Sequence, residues 1–336
     1  MKKFLIYTVC FSALIIGINT AIDAFFKYKY SVYNLDFYKN KDVVFKLYKQ
    51  ETNGISDEWI KENTAVIIRS AGERTEKACF KILADVFGRD NVILIKNAVP
   101  FRSAAELCFR AGILKNKKWT LIVDSDVIFI KDRLIRYLKY SELLSRKKEN
   151  VYSIKPYLIS KFRKFPHSYG VSLYRTKYLE KALEYFSGVK GLQLEYQTAL
   201  KVSENDNLEN FNIMYYTGLG DFFQSYNDIL RKSVIYCSKW KDLNEKIKFW
   251  EQNSFFDFDF KYALSGCNIK QEAEKPLYDE YGSIDSIFLN NYIRSLEADK
   301  KIKIGRRRVL TLNYINKTLK YFKRPEPDFV YVEKDF

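Results

Sequence analysis

The sequence predicts an α/β protein built on an open, mostly parallel sheet that is flanked by helices. Three short apolar runs, rich in β-branched residues, are separated by segments with helical spacing: 65–68, 92–95 and 119–123. Runs of this kind are typical of strands that are buried on both faces. Strands that alternate with helices favour parallel pairing with right-handed crossovers. The core of the fold is therefore expected in the segment that begins at Thr64.

Helical patterns connect these strands. Ser70 and Glu73 have the spacing of a capping box, in which a serine and a glutamate satisfy backbone N–H groups at a helix start. Apolar residues at helical spacing continue to Phe87, and Gly88 is expected to end this helix. Pro100 is expected to open the next helix, which leads into the third strand.

Beyond the third strand the pattern is weaker. Two further strands are predicted at 152–154 and 170–174, a helix at 178–186, and a longer helix directly after Asp221. The sequence thus divides into four regions: an N-terminal membrane anchor or signal segment at 1–22, a stem or peripheral helices at 23–62, the α/β domain at 63–240, and a charged, mostly helical region at 241–336.

The composition argues against several kinds of chemistry. The chain of 336 residues contains one histidine, His167, which is too few for a histidine-rich zinc or di-iron site. Its five cysteines include no Cys-x-x-Cys pair, which argues against a zinc ribbon and a thioredoxin-like centre. The cysteines are instead predicted to be free, buried thiols in a reducing compartment: residues 10, 79, 108, 237 and 267.

The N-terminus predicts a membrane segment. An uncharged run of 19 residues from Phe4 to Ile22 would span roughly 28 Å as a helix, close to the bilayer core of about 30 Å. An uncleaved anchor is favoured, with a cleaved signal peptide and a buried helix as alternatives. Lysines 27, 29, 39 and 41 follow the run, so the positive-inside rule favours a cytoplasmic position for the rest of the chain.

The net charge of +16 allows two interpretations. The basic residues are spread through helices, with clusters at 306–308 and 320–324, and they form no nucleic-acid-binding motif. Attraction to an anionic membrane surface or to phosphorylated substrates therefore fits better than binding to nucleic acid. A lysine-rich solvated surface is the alternative for any single cluster.

The strongest candidate site is Asp124-Ser125-Asp126, at the end of the third strand. Open α/β sheets bind ligands at the carboxyl ends of their strands. Two carboxylates there repel each other unless they share a cation, and hard oxygen ligands beside a phosphate suit Mg²⁺ or Mn²⁺. A second Asp-x-Asp, Asp257-Phe258-Asp259, lies in a run of alternating phenylalanines and is predicted to be a solvated edge.

This order of segments resembles bacterial glycosyltransferases of the GT-A fold, of the family-2 type, in which an Asp-x-Asp follows the third strand. The segments that carry the resemblance are Arg69 to Arg74, 100–112, Trp119 to Val127, 170–175 and 221–232. The resemblance covers residues 64–240 and implies a GT-A-like, Rossmann-like sheet with helical additions at both ends.

The resemblance also implies a function. It indicates a membrane-associated hexosyltransferase of glycan biosynthesis that moves a sugar from a nucleotide-sugar donor to a glycan or glycolipid acceptor. Asp124 and Asp126 are expected to hold Mn²⁺ or Mg²⁺, which neutralises the leaving diphosphate. The residues expected to bind the donor are Arg69, Ser70, Arg74, Arg102 and Ser125.

The acceptor side of the site is less defined. An inverting transfer needs a carboxylate that takes the proton of the acceptor hydroxyl, and Asp221 and Glu195 are the candidates. Each has a second interpretation, as a helix-start or surface acid. The late family motif begins with His-Asp, and Gly220 stands at the histidine position, so that histidine is missing as a third metal ligand. His167 is predicted to cap or hydrogen-bond a loop.

Two other functions stay open. A nucleotidyltransferase shares the α/β sheet and the metal-binding carboxylates, but it is expected to carry a glycine-rich phosphate loop with a lysine. The loop Ser70-Ala71-Gly72-Glu73 has one glycine and no lysine. A non-catalytic basic protein that binds membranes or nucleic acid would be driven by the net charge, and its binding to duplexes would depend steeply on salt.

Overall fold

The computed structural model describes residues 18, 20–35, 43–97, 100–190, 193–239, 243–272, 291, 294–295 and 310–335. Strands from both ends of this range join one ten-stranded sheet. In chain order they are β1 Val43–Tyr48, β2 Thr64–Arg69, β3 Val92–Ile95, β4 Trp119–Asp124, β5 Val127–Phe129, β6 Val151–Ser160, β7 His167–Ser168, β8 Val171–Arg175, β9 Glu209–Gly220 and β10 Phe329–Lys334.

Helices cover both faces of the sheet. The first, α1, comprises residues 20–31. The others described are α2 Asp57–Asn63, α3 Glu76–Phe87, α4 Phe101–Lys115, α5 Lys131–Lys147, α6 Leu179–Phe186, α7 Leu194–Asp206, α8 Tyr226–Lys239, α9 Leu243–Asn253, α10 Phe258–Glu272 and α11 Leu312–Lys320.

The predicted α/β class is confirmed. The main path of the sheet has the order β1-β10-β9-β6-β8-β4-β2-β3, with β5 beside β9 and β7 beside β6. The strand β2 is parallel to β3 and β4, as its alternation with helices predicts. The sheet as a whole is mixed, because β6 and β9 form the only other parallel pair among the described strands and the remaining pairs are antiparallel.

The central strands are buried on both faces. Val66 and Ile68 of β2 belong to the core that includes α3 and α5, whereas Ile67 belongs to the core that includes α4, α6 and α7. Alternate residues of a strand point to opposite faces, so a strand covered by helices on both sides is apolar throughout. This packing explains why β2, β3 and β4 are the strands that the sequence predicts best.

Two predicted helix starts are wrong. Thr75 is the N-cap of α3, and the predicted capping box lies in the loop before it, where Ser70 donates to Glu73 at 3.1 Å. The helix predicted directly after Asp221 begins at Tyr226. Asp221 has a φ of 64°, a left-handed conformation that α-helical backbone does not adopt. The predicted helix end at Gly88 is confirmed. The Gly88 N–H donates to the Ala84 carbonyl, and the φ of Gly88 is 83°.

The sheet crosses the boundaries predicted at residues 63 and 240. The strand β1 lies in the predicted stem, β10 lies in the predicted C-terminal region, and the two pair with each other. Tyr30 of α1 also packs on Phe322, with ring centroids 5.1 Å apart. Both strands are partly exposed, so their sequences lack the continuous apolar character that marks β2 and β4.

The prediction that all cysteines are free is wrong for one pair. Cys237 of α8 and Cys267 of α10 form a disulfide, with their Cα atoms 5.5 Å apart. Cys79 and Cys108 are free and buried, as predicted. Disulfides persist in oxidising compartments, so the cysteines no longer support a cytoplasmic position, and that prediction rests on the lysine flank of the N-terminal run.

The predicted anchor, the cysteine at position 10 and the basic cluster at 306–308 lie largely or wholly outside the described residues. Residues 18 and 20–22, at the end of the predicted anchor, are helical. Within the described part of the chain, no helix is both long and apolar enough to cross a membrane.

Candidate active site

The site forms where β2 and β4 end side by side. Arg69 and Asp124 are partners in the parallel register, so both side chains leave the sheet at the same edge. The chain then turns at Ser125 and Asp126, and β5 returns along β9, with Val127 opposite Gly220. This return places the turn next to Asp221, 95 residues later in the chain, as the numbering in the sequence shows.

Arg69 fixes the first half of the site. Its side chain is 9% exposed, its Nε donates to Asp124 Oδ1, and its two terminal nitrogens donate to the two oxygens of Glu195 at 2.8 and 3.0 Å. The guanidinium also lies 4.5 Å from the ring centroid of Phe101. Burial lowers the pKa of Arg69, but the charges of Asp124 and Glu195 outweigh burial and raise it. Arg69 is therefore a permanent cation between two carboxylates.

Lys232 fixes the second half of the site. Its Nζ donates to Asp126 Oδ2 and, at 2.9 Å, to Asp221 Oδ1. Tyr236 lies one turn further along α8, and its hydroxyl is 2.9 Å from Asp221 Oδ2. Ser160, at the end of β6, adds a hydrogen bond to the same oxygen at 3.3 Å. The helix α8 and the ends of β6 and β9 therefore hold Asp221 from three sides.

Burial shifts two of these charges toward neutrality. Asp221 is 1% exposed, and burial raises its pKa to about 6 even though the Tyr236 hydroxyl donates to it. Burial likewise lowers the pKa of Lys232 to about 8, against the opposing charges of Glu73 and Asp124. A carboxylate with a pKa near 6 is suited to accept a proton close to neutral pH.

Glu73 joins the first strand-to-helix loop to the Asp-x-Asp turn. One of its oxygens accepts from Ser125 Oγ at 2.6 Å, from Ser70 Oγ at 3.1 Å and from the Ala71 N–H at 2.8 Å. Burial raises the pKa of Glu73, but these bonds and the charge of Lys232 outweigh it and lower the pKa. Both predicted donor-binding serines are thus held by one partly buried carboxylate.

The bonded network has more negative than positive charge. Among the described residues, Arg69 bonds to Asp124 and Glu195, and Lys232 bonds to Asp126 and Asp221. Ser125, between the two aspartates, adds the carboxylate of Glu73, which makes five carboxylates beside two cations. The second carboxylate oxygen of Asp126, Oδ1, is buried and has no hydrogen-bond partner in the described chain. A buried unpaired carboxylate oxygen is costly, so this network favours the arrival of a further cation or donor.

The fit of a divalent metal can be judged from these oxygens. Asp126 Oδ1 is unpartnered, and Asp124 is 32% exposed at its side chain, so both can offer oxygen to an ion. The described residues contain no group of three or more His, Cys, Asp or Glu side chains arranged around one metal position. The donor set therefore fits Mg²⁺ or Mn²⁺ when phosphate oxygens and water complete the coordination.

Tyr169 lies against Gly220, the position at which the sequence resemblance leads one to expect a histidine. A Cβ atom at Gly220 would overlap the hydroxyl of Tyr169, so a larger residue at this position would displace the tyrosine ring. The Tyr169 ring stacks on His167 with centroids 4.4 Å apart. The sole histidine thus supports a tyrosine beside the site and lies on β7, paired with β6.

Two predicted donor-binding arginines have backbone partners. Arg102 donates to the carbonyls of Phe186, Ser187 and Val189 at 2.6–2.8 Å, at the last residue of α6 and in the turn after it. Arg74 donates to the Phe223 carbonyl at 2.9 Å and so braces the segment that follows Asp221. The structure therefore places Arg69, Ser70 and Ser125 at the site, Arg74 beside it, and Arg102 outside it.

Sequence reasoning missed three members of the site and misread the second Asp-x-Asp. Lys232 and Tyr236 received no role in the site and Glu73 only a role in capping a helix, although Lys232 and Tyr236 lie four residues apart, one turn of a helix. Asp257 and Asp259 are 7% and 6% exposed and are not a solvated edge. They pair with the buried Lys161, which lies 96 residues before Asp257.

Comparisons with known proteins give weak structural likenesses. No known family profile matches the chain, and no curated protein matches it. A197 from STIV is similar over 35% of this chain and 68% of its own, with 15% identity and a TM-score of 0.26. A glycosyltransferase involved in the glycosylation of the major capsid of PBCV-1 is similar over 43% of this chain and 77% of its own, with 12% identity and a TM-score of 0.26. These TM-scores are too low to carry a functional conclusion.

Proposed function

We propose that this chain is a glycosyltransferase that moves a hexosyl group from a nucleotide-sugar donor to a glycan or glycolipid acceptor. The observation that supports this most is the unpartnered buried Oδ1 of Asp126 within a network of five carboxylates and two cations. It lies at the carboxyl edge of β4, the edge at which open α/β sheets bind nucleotides.

In this proposal Asp124 and Asp126 hold Mg²⁺ or Mn²⁺ together with the donor diphosphate. The ion would supply positive charge to the leaving phosphate oxygens. The negative surplus of the network favours this cation, because five carboxylates held near two cations repel one another. Glu73 holds Ser70 and Ser125 in place beside the ion position.

The chain's own cations have separate tasks. Arg69 is saturated by Asp124 and Glu195, so its task is to orient Asp124 rather than to grip the donor. Lys232 bridges Asp126 and Asp221, and its ammonium lies where it can neutralise a phosphate oxygen of the leaving group. Arg74 holds the backbone at Phe223, two residues after Asp221.

Both oxygens of each candidate base accept hydrogen bonds, and the two bases differ in the donors that hold them. Both oxygens of Glu195 accept from Arg69, so we assign Glu195 a positioning role. Asp221 has a pKa raised to about 6 by burial, and its partners Lys232, Tyr236 and Ser160 all favour its charged form. We therefore propose that Asp221 takes the proton from the acceptor hydroxyl as the hydroxyl oxygen attacks the anomeric carbon and the nucleoside diphosphate leaves.

A thermal-shift panel of nucleotide sugars with Mn²⁺ tests the proposal. A ligand at 100 times its Kd stabilises the folded state by about 2.7 kcal/mol, so a specific donor will raise Tm measurably. The same donor should raise the Tm of Asp126→Asn clearly less than that of the wild type. Stabilisation by nucleoside triphosphates and by no nucleotide sugar would favour a nucleotidyltransferase instead. Salt-sensitive stabilisation by duplex nucleic acid alone would favour a non-catalytic basic protein.

A further inference from the structure

We propose that α1 and the turn between α9 and α10 form one membrane-docking surface whose aromatic side chains enter the interface of a lipid bilayer. The surface, here called the aromatic patch, consists of Phe25, Tyr28, Phe255, Phe256 and Phe258. This proposal does not depend on the catalytic assignment, because none of these residues belongs to the network around Asp126.

The aromatic patch is unusually exposed for its chemistry. Phe255 is 83% exposed and Phe258 is 62% exposed, and the three other rings are between 41% and 56% exposed. Exposed apolar residues scattered singly need no explanation, but several large rings together mark a binding surface. Leu114 of α4 is 85% exposed and does not belong to the aromatic patch. It represents an exposed apolar residue that stands singly.

Direct contacts join the two elements into one surface. The rings of Tyr28 and Phe256 lie 5.1 Å apart and edge to face, and Phe255 makes the same kind of contact with Phe256 at 5.1 Å. Beneath them, Lys29 of α1 pairs with Asp257 at 2.9 Å, and both side chains are at most 18% exposed. The patch therefore presents a fixed arrangement rather than independent loops.

The position of α1 in the chain identifies the occupant. The uncharged run from Phe4 to Ile22 ends inside α1, where Ile22 is 49% exposed. Six residues of helix rise about 9 Å, so Tyr28 lies within that distance of the end of an apolar run long enough to enter a bilayer. A surface tethered this closely to such a run meets lipid before any protein partner.

The chemistry of the patch also suits a bilayer interface. Aromatic side chains are enriched at the level of the lipid headgroups, where a ring finds apolar contact beside water. Lys261 of α10 places its Nζ 4.8 Å from the ring centroid of Phe258, so a cation lies beside the most exposed end of α10. Such a pairing of ring and lysine attracts anionic headgroups.

The test uses the full chain in vesicles of phosphatidylcholine and phosphatidylglycerol. An environment-sensitive fluorophore is attached at Phe255→Cys, at Phe258→Cys or, as the control, at Leu114→Cys, each in a Cys10→Ser background. The native thiols that remain are buried or disulfide-bonded, so the label goes to the introduced cysteine. All three positions are more than half exposed, so the substitutions leave the fold intact.

The expected result is a blue shift of emission at positions 255 and 258 on vesicle addition, with quenching by lipids that carry a nitroxide in the acyl chain, and neither effect at position 114. Equal behaviour at all three positions would overturn the proposal. So would unchanged emission at 255 and 258, including failure of the chain to bind vesicles. A blue shift without vesicles that grows with protein concentration would assign the patch to a second copy of the chain.

Discussion

The two Asp-x-Asp segments show how the same short motif acquires different roles in one molecule. Asp124 and Asp126 follow a central strand, whereas Asp257 and Asp259 lie at the start of α10, yet each pair includes a buried carboxylate bonded to a lysine. Burial and pairing are therefore common to both. The difference lies in the balance of charge around them and in the presence of an unpartnered oxygen.

The second pair is balanced. Asp257 pairs with Lys161 and Lys29, Asp259 pairs with Lys161 at 3.4 Å, and the remaining oxygen of Asp257 accepts the N–H of Asp259 at 3.1 Å. Burial raises the pKa of Asp257, but the two lysines outweigh it and lower the pKa. Two carboxylates and two lysines therefore form a structural ion cluster, which connects α1 to the loop after β6.

The first pair belongs to a network with surplus negative charge, and it keeps Asp126 Oδ1 without a partner in the described chain. Natural proteins pair their buried charges unless a ligand completes them. The comparison therefore teaches that unbalanced charge, rather than the motif or its burial, marks the binding site. The predictions below separate the two clusters by their effects on activity and on stability.

The largest expected effect is on turnover in Asp221→Asn. Loss of a general base typically costs about 100-fold to 10,000-fold, and the variant should lose at least about 100-fold in kcat. In the wild type, kcat/KM should fall as the pH drops through about 6, because protonation of Asp221 removes the base. Steady-state kinetics from about pH 4 to 8, roughly two units on either side of that pKa, should show this limb in the wild type and not in the variant. A wild-type rate in Asp221→Asn would reduce the residue to a structural role.

A similar loss of turnover without loss of stability is expected for Asp126→Asn. The amide keeps an oxygen for Lys232 and lowers the negative surplus, so Tm should equal or slightly exceed that of the wild type. Activity should fall at least about 100-fold, which corresponds to about 2.7 kcal/mol of transition-state stabilisation. A combined fall in Tm and activity would show that Asp126 is structural, as Asp257 is.

Asp257→Asn should show the opposite pattern. Removing one partner of a buried ion pair typically costs about 3–5 kcal/mol, because the other charge stays buried, and here Lys161 is 3% exposed. Urea unfolding should report a loss of about 3 kcal/mol, with the turnover of the folded fraction unchanged.

The pH dependence of this variant provides a control. Since the pKa of Asp257 is lowered in the folded state, its contribution to stability is present above the unfolded pKa and is lost as the pH falls through the folded pKa. Asp257→Asn should abolish that part of the acid sensitivity. An unchanged urea midpoint would contradict the structural role of this cluster.

The smallest effect is expected for Arg102→Ala. The guanidinium donates to three carbonyl groups at the last residue of α6 and in the turn after it and contacts the ring of Phe186, so its removal should cost about 1–2 kcal/mol of stability. Donor affinity and turnover should match the wild type, since Arg102 lies outside the network. A tenfold fall in donor affinity at unchanged Tm would restore Arg102 to the donor site.

The sequence predicts one end of the sheet, with β4, β2 and β3, better than the other end, with β1 and β10. The strands β2, β3 and β4 are continuous apolar runs because helices cover both of their faces, so local composition is enough to find them. The strands β1 and β10 pair across most of the chain and are partly exposed, so no local pattern marks them. Long-range pairing is visible only once the chain is folded.

The same distinction applies to the site. Open α/β sheets bind ligands at the carboxyl ends of their strands, and this rule is enough to select Asp124 and Asp126 from the sequence. Arg69 ends the neighbouring parallel strand and is selected by the same rule, but its pairing with Asp124, 55 residues later, is not predicted. Lys232 lies on a helix 106 residues after Asp126 and is not predicted at all. The partner of Asp257, Lys161, is equally remote in the chain. The sequence therefore predicts a solvated edge where the structure has a buried ion cluster.

Calorimetric titration of one nucleotide sugar into three proteins tests the central claim most directly. With Mn²⁺ present and all proteins folded, the wild type and Asp257→Asn should bind the donor with the same Kd. Asp126→Asn should bind it at least about tenfold more weakly, a loss of about 1.4 kcal/mol or more. Equal affinity in all three proteins, or an equal loss in both variants, would contradict the assignment of donor binding to the unbalanced cluster.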